Sequence, residues 1–334
     1  MPTREDLKIL QSQDLELKVM LTKQRIREWV TYYGEIGVYV SFSGGKDSTV
    51  LLHIVRELYP DIEAVFVNTG LEYPEIQRFV KTFDIVKILY PPQTFADIIK
   101  KYGYPVISKN VSHNVHTARF NPEGNVKKKI FDPNKKGQYA MFKWSPLLDV
   151  DFLIDNHCCL YNKKKPMALY EKETGKVPII ATMATESVMR RDAWLQKGCN
   201  AFDGSHIYSA PMSFWTEQDV LQYIYENNIE IASVYGGVTC DDGQLPFIDC
   251  ECKLCTTGEH RTGCIFCGYG AHLEKGETRF QRLKRTHPKQ YDFCINGGEY
   301  DTDGLWKPNE KGLGMGHVFD VINSIYGNDF IRYQ

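Results

Sequence analysis

No run of apolar residues approaches the roughly 20 needed to cross a bilayer, so nothing in the chain reads as a membrane span. The first residues, M P T R E D L K I L Q S Q D, mix in acids and offer no apolar h-region, so no signal peptide is expected there. An excess of charge is also missing. Lys plus Arg number 40 and Asp plus Glu 42, a net charge of −2. Bulk electrostatics therefore predict no nucleic-acid partner, and any such grip would need a local basic patch. Internal repeats and long low-complexity tracts are absent. The sequence also lacks the G-x-x-x-x-G-K-[ST] loop of the common nucleoside triphosphatases.

What the chain has in quantity is core and thiols. Of its 334 residues 43% are hydrophobic and 13% aromatic, enough for one large domain or two modest ones. Ten cysteines are present, six of them between Cys240 and Cys267 and two adjacent at Cys158 and Cys159. In a cytoplasmic protein, the localisation expected here, thiols stay reduced. Such a cluster then points to metal or redox chemistry rather than a disulfide frame.

The pattern of the first 230 residues alternates strand and helix. Residues 4–33 read as a helix with Leu15, Val19, Ile26 and Val30 near one face. Strands are expected at 38–42, 64–68, 85–89 and 176–183. Helices are expected at 48–58, after Pro74, near 94–101, 108–118 and 187–197, and from an N-cap at Thr216 to about 227. This alternation predicts an α/β fold, a doubly wound parallel sheet covered on both faces. The polar, basic stretch within 119–145 reads as a surface insertion or lid. Beyond Tyr235 the pattern breaks into cysteine, glycine and short turns. The expected organisation is a nucleotide-binding domain over 1–235 and a small Cys-rich module over 236–334.

S F S G G K D S, residues 41–48, follows an apolar strand and opens a helix. A glycine pair lets the backbone turn tightly and aim its N–H groups at an anion, and the helix adds its positive end. Lys46 brings a point charge, and Ser43 and Ser48 bring hydroxyls. That is a phosphate cradle.

The octapeptide resembles the pyrophosphate-binding loop of the adenine-nucleotide α-hydrolase, or ATP-pyrophosphatase, superfamily. Four further stretches resemble its PAPS-reductase-like branch: V N T G L E Y P E I at 67–76, C C L Y N K K K P at 158–166, A T M A T E S V M R at 181–190 and P M S F W T E Q D V at 211–220. The resemblance covers about residues 25–230. It implies a Rossmann-like sheet holding an adenylyl nucleotide (ATP, APS or PAPS) at the strand ends. It implies that Ser43, Gly44, Gly45, Lys46, Asp47 and Ser48 surround its phosphates. Asn68, Thr69 and Gly70 would line the adenosine side, and Lys163, Glu186 and Arg190 would lie nearby. Lys46, Asp47 and Arg190 are the catalytic candidates, with Asp47 orienting Lys46 or holding Mg²⁺ through water. Met183 stands where the branch's reductases carry arginine. The sequence ends N D F I R Y Q, unlike the Cys-containing tail those reductases use, and Cys294 lacks matching neighbours.

The cysteines allow two readings. The adjacent Cys158–Cys159 with Cys264-Ile-Phe-Cys267 resembles the ligand pattern of a [4Fe–4S] cluster. Alternatively, Cys252 and Cys255 with Cys264 and Cys267 form two CxxC pairs able to wrap one zinc. In the cluster reading Cys250, Cys252 and Cys255 are spare, as persulfide carriers or bystanders. Cys199 and Cys240 read as core thiols, and His260 is a substitute ligand at most.

The functional expectation is sulfur transfer, in which ATP activates an acceptor that is then thiolated. A cysteine desulfurase or thioredoxin would be the sulfur-side partner, and a nucleic acid is a candidate acceptor. The alternatives are reduction of APS or PAPS to sulfite, and a non-catalytic zinc- and nucleotide-binding module. The last would grip nucleic acid through Arg282, Arg285 and Lys289.

Overall fold

The computed structural model describes residues 2–134, 136, 140–204, 206–241 and 252–334, and of residues 127–129 the backbone alone. The strands that matter here are, in chain order, β1 (Val38–Ser41), β2 (Ala64–Val67), β3 (Val86–Leu89), β4 (Val106–Ile107), β5 (Val177–Ile180), β6 (Asn200–Ala201), β7 (Tyr208–Ser209), β8 (Val238–Cys240), β9 (Leu254–Thr256) and β10 (Gly268–Tyr269). The chain divides into two compact units. The first comprises Met1–Asn68, Glu72–Tyr90 and Met167–Thr262. The second comprises Thr69–Leu71, Pro91–Pro166 and Gly263–Gln334.

This division differs from a single cut near residue 235. The change in composition there is real, but composition reports local chemistry, whereas a unit is defined by packing. Residues 91–166 leave the sheet and pack with the C-terminal segment, so the second unit is assembled from separate stretches of chain.

The first unit is built on a six-stranded sheet of order β3-β2-β1-β5-β7-β6. The pairings β1–β2, β1–β5, β2–β3 and β5–β7 are parallel, and β6 alone runs antiparallel, against β7. Val38 and Val40 are fully buried, as are Val50, Leu51, Ile54 and Val55 of the helix Lys46–Leu58. On the opposite face Tyr39 packs with Val65 and with Tyr170 and Met167 of the helix Lys165–Thr174. The Tyr39 and Tyr170 rings meet edge to face at 5.2 Å. Apolar side chains on both faces of β1 explain why its sequence is nearly continuous in hydrophobicity.

Residues 4–33 are two helices, not the one expected: α1 (Arg4–Gln11) and α2 (Leu15–Tyr33). Asp14 explains the break, because its carboxylate accepts from the Leu17 amide at 2.7 Å and so caps a new helix. The third helix, α3 (Lys46–Leu58), follows β1 through the glycine turn.

The second unit holds the parallel pair β4–β10. Gly103 there sits at φ +119°, a backbone conformation that favours glycine. The stretch expected as a bare insertion contains a helix, Asn125–Ile130. The Gly-rich C-terminal run forms tight turns that dock Trp306, whose Nε1 donates to the Gly314 carbonyl at 3.0 Å. Among the described residues no helix is long and apolar enough to cross a membrane.

One ion pair in the first unit is buried at both ends. Lys18 of α2 places Nζ 2.7 Å from Asp219 Oδ1, with Lys18 only 2% exposed and Asp219 7%. Asp219 also caps its own helix by accepting from the Thr216 amide. Replacing Lys18 with alanine leaves a buried carboxylate without its cation. The expected loss is about 3 kcal/mol of unfolding free energy, read by denaturant titration.

Candidate functional site

The strand order reverses around β1, which has β2 on one side and β5 on the other. In an open α/β sheet a crevice opens at the carboxyl ends of the strands at such a point, and ligands settle there. The Ser43–Ser48 turn emerges from this end of β1.

The turn is held by its own hydroxyls. Ser43 and Ser48 place their Oγ atoms 2.9 Å apart, and the Ser43 amide donates to Ser48 Oγ at 3.2 Å. Ser48 Oγ and Thr49 Oγ1 donate to the Gly45 carbonyl at 2.9 and 3.0 Å. Gly44 lies at φ +70°, and a Cβ there would sit 2.7 Å from Val80 Cγ2 and 2.8 Å from Ile76 Cγ2. Glycine is required at 44 on both counts: the φ is left-handed, and the neighbours leave no room. The N-cap residue of α3 is Gly45, which has no side chain to cap the helix start.

Lys46 is 3% exposed. Its Nζ donates to the His260 carbonyl at 2.9 Å and pairs with Glu217 Oε1 at 3.1 Å, with Asp47 Oδ1 at 3.8 Å. Its backbone N–H donates to the hydroxyl of buried Tyr235 at 3.3 Å. That hydroxyl lies 2.5 Å from Thr262 Oγ1. Burial pushes the Tyr235 phenol up to about 12, so it stays neutral. Asp47 is pulled two ways. Burial raises its carboxyl and Glu217 adds to this, while Lys46, Arg261 and Arg190 oppose. Arg190 is itself ion-paired with Glu186, whose Oε2 also accepts from the Met183 amide at 2.9 Å.

Of the sequence candidates, Ser43, Gly44, Gly45, Lys46, Asp47, Ser48, Glu186 and Arg190 belong to the first unit, as does Asn68. Asn68 donates its amide to Leu89 O at 2.8 Å, extending the β2–β3 ladder. Thr69, Gly70 and Lys163 belong to the second unit. Thr69 Oγ1 accepts from the Leu71 amide at 3.2 Å. Motif reading missed Tyr235, Glu217, Arg261 and Thr262. Glu217 lies inside a quoted motif, but its carboxylate reads there as a helix first-turn acid. The other three carry no sequence signal, because their place beside the loop depends on the chain returning 189 residues later at Tyr235 and more than 214 later at Arg261 and Thr262.

The thiols divide between the units. Cys158, Cys159, Cys264 and Cys267 all lie in the second. The Cys267 amide donates to Cys264 O at 3.1 Å, closing the CxxC turn. Cys158 is raised chiefly by its hydrogen bond to Cys159, with burial and the charges of Cys159, Cys267 and Cys264 adding. Cys159 is lowered to about 5 by the same hydrogen bond and then by Lys109 and Lys163. The four sulfurs are thus near neighbours, with Lys163 beside them. Among the described residues, however, no three His, Cys, Asp or Glu side chains converge as they would on a single metal ion.

Two cysteine expectations, those for Cys240 and Cys252, need correction. Cys252 is disulfide-bonded to Cys240. It is therefore neither a zinc ligand nor a free persulfide carrier in this state, and Cys240 is no core thiol. The pairing is set by the antiparallel β8–β9 hairpin, which aligns Cys240 with Leu254. Cys255 keeps its thiol, with Sγ 3.6 Å from the Cys240 carbonyl. Cys250 lies outside the described residues. Cys294 is fully buried and its thiol is pushed up by burial, which disfavours the thiolate a nucleophile needs. His260 serves through its backbone carbonyl, and its Nδ1 lies 3.3 Å from Thr256 Oγ1. In the basic stretch Arg285 pairs with Glu277 at 3.0 Å, so part of that charge is already answered within the chain.

Comparison with known proteins adds an independent line. Residues 37–106 match the phosphoadenosine phosphosulfate reductase domain. An uncharacterized protein of Methanocaldococcus jannaschii is 21% identical over 284 residues, which is 82% of this chain and 52% of that protein. The chain thus spans about half the length of that relative. The adenosine 5′-phosphosulfate reductase of Staphylococcus haemolyticus is 24% identical over 236 residues, 68% of this chain and 78% of that one. Among solved structures, the PAPS reductase of Candida auris in its phosphate complex aligns at 15% identity with a TM-score of 0.38, covering 70% of this chain and 91% of the other. The segment that matches the phosphoadenosine phosphosulfate reductase domain, residues 37–106, is the one that carries β1, the glycine turn and α3.

Proposed function

We propose that this chain binds an adenylyl nucleotide on the Ser43–Ser48 turn and uses it in sulfur transfer. The observation that carries the reading is the turn itself: a left-handed Gly44, a helix start at Gly45 with no N-cap side chain, and a buried Lys46 beside it. Burying an ammonium is costly unless anions or dipoles answer it. Here the answering groups are one carbonyl and two carboxylates. A pyrophosphate arriving at the amides would compete with them for the same charge.

In the favoured reaction the nucleotide is ATP. An acceptor oxygen attacks the α-phosphorus, the bond to the bridging oxygen breaks, and pyrophosphate leaves. Lys46 and the amides at the start of α3 would hold the negative charge that develops on it. Asp47 would orient Lys46, or hold Mg²⁺ through water. A sulfur nucleophile would then displace AMP from the activated acceptor. The sulfur donor, whether a cysteine desulfurase product or a thioredoxin-like thiol, and a nucleic-acid acceptor belong to this proposal too.

The second reading is reduction of APS or PAPS to sulfite. It is favoured by the similarity to the Staphylococcus haemolyticus enzyme, which bears the name of that activity. In either reading Cys158, Cys159, Cys264 and Cys267 would hold a [4Fe–4S] cluster. The donor set suits one, being four thiols with a CxxC turn and Lys109 and Lys163 to offset thiolate charge. When bound, such a group supplies a polarising, redox-capable centre. Zinc on Cys252, Cys255, Cys264 and Cys267 is not proposed, since Cys252 is already bonded.

Three outcomes are expected. The purified chain with ATP and an acceptor extract releases AMP and pyrophosphate, and Lys46→Gln lowers that rate about 100-fold or more. Sulfite from APS with a dithiol, and no AMP from ATP, would instead establish the reductase reading. Gly44→Ala keeps the circular dichroism of the parent while nucleotide binding falls below detection, because the turn no longer closes. Anaerobic purification yields about four irons per chain with absorbance near roughly 400 nm. Cys264→Ser removes both signals, and a metal-free parent would discard the cluster.

A further inference from the structure

One cation beside the Ser43–Ser48 turn has no partner assigned to it so far. Arg261 is exposed and makes no hydrogen bond or ion pair among the described residues. Both its neighbours in sequence are pinned to the loop. The His260 carbonyl accepts from Lys46 Nζ at 2.9 Å. Thr262 Oγ1 lies 2.5 Å from the Tyr235 hydroxyl, which takes the Lys46 backbone N–H.

The segment that carries Arg261 is fixed further back. The Gly258 amide donates to Tyr235 O at 2.8 Å and the Glu259 amide to Val234 O at 2.9 Å, while Thr256 Oγ1 donates to Glu259 O at 2.9 Å. β9 is paired with β8, and the Cys240–Cys252 disulfide closes the hairpin. A backbone tied down at so many points does not carry a long cation beside a phosphate loop as a floppy surface residue. The other cations there are engaged, Lys46 with Glu217 and His260 and Arg190 with Glu186. Met183, on the segment after β5, is buried and brings no charge. The field of Arg261 reaches both Asp47 and Arg190.

We propose that Arg261 is a substrate-binding residue for the anionic group beyond the α-phosphate, the β,γ-phosphoryl of ATP or the sulfuryl of an adenylyl sulfate. The planar fork of a guanidinium suits two oxygens of either group. The assignment rests on the nucleotide reading of the loop and deepens it. It makes Arg261 the residue that separates nucleotides bearing this second anion from AMP, which lacks it.

The test compares ATP, APS and AMP binding by calorimetry to the full-length parent, Arg261→Ala and Arg261→Lys. The side chain is exposed, so the variants should keep the parent's melting temperature. For Arg261→Ala the expected result is a loss of about 10-fold or more in affinity for ATP or APS, with AMP changed less than about twofold. Arg261→Lys recovers part of the loss, because the charge returns without the fork. Equal weakening of AMP and of the longer nucleotides, or no change in any of them, overturns the assignment while leaving the loop as the nucleotide site. A parent that binds none of the three overturns the loop reading itself, and the assignment with it.

Discussion

The buried ammonium of Lys46 is the constraint around which the first unit is arranged. A charge only 3% exposed has to be answered from nearby, and the chain answers it from distant segments. Glu217 comes from a helix start, the His260 carbonyl from the stretch after β9, and Asp47 from the same helix turn. Tyr235 takes the backbone amide of the same residue. Each contact is modest alone. Together they bring the start of α3, residues 217 and 235, and the segment 260–262 to one place.

The second unit organises sulfur as the first organises charge. Adjacent cysteines share a hydrogen bond that leaves one a thiol and makes the other the easier thiolate, and two lysines favour that thiolate. Cys294 shows the opposite arrangement. It is fully buried, and burial raises its thiol, which disfavours the thiolate. The position of a cysteine among charges, rather than the number of cysteines, separates a reactive group from a packing one. The disulfide of the β8–β9 hairpin is a third case, in which the sulfur serves as a brace.

Much of the fold could be read from residue order. The strand at Val38, the glycine turn and the apolar stripe of Val50, Leu51, Ile54 and Val55 are local patterns, and each became the element its period implies. The Thr216–Asp219 capping box is another, since its hydrogen bonds join residues three apart. The errors arose where two local signals competed or where no local signal existed. Asp14 split one amphipathic run into two helices by capping the second. The cut near residue 235 followed composition, which is blind to residues 91–166 packing with the C-terminal segment.

The sequence by itself determined the Ser43–Ser48 turn, because a glycine pair between an apolar strand and a helix start is a local pattern. It also determined that Cys264 and Cys267 would face the same way, because CxxC closes a single turn. Tertiary structure decided which partners surround Lys46, which cysteines are bonded and which are merely near, and that Arg261 stands beside the loop. The reason is the range of the forces involved. Backbone preference and side-chain period act over a few residues and leave a written pattern. Charge compensation, thiol pairing and cation placement act through space, between segments that only the folded chain brings together.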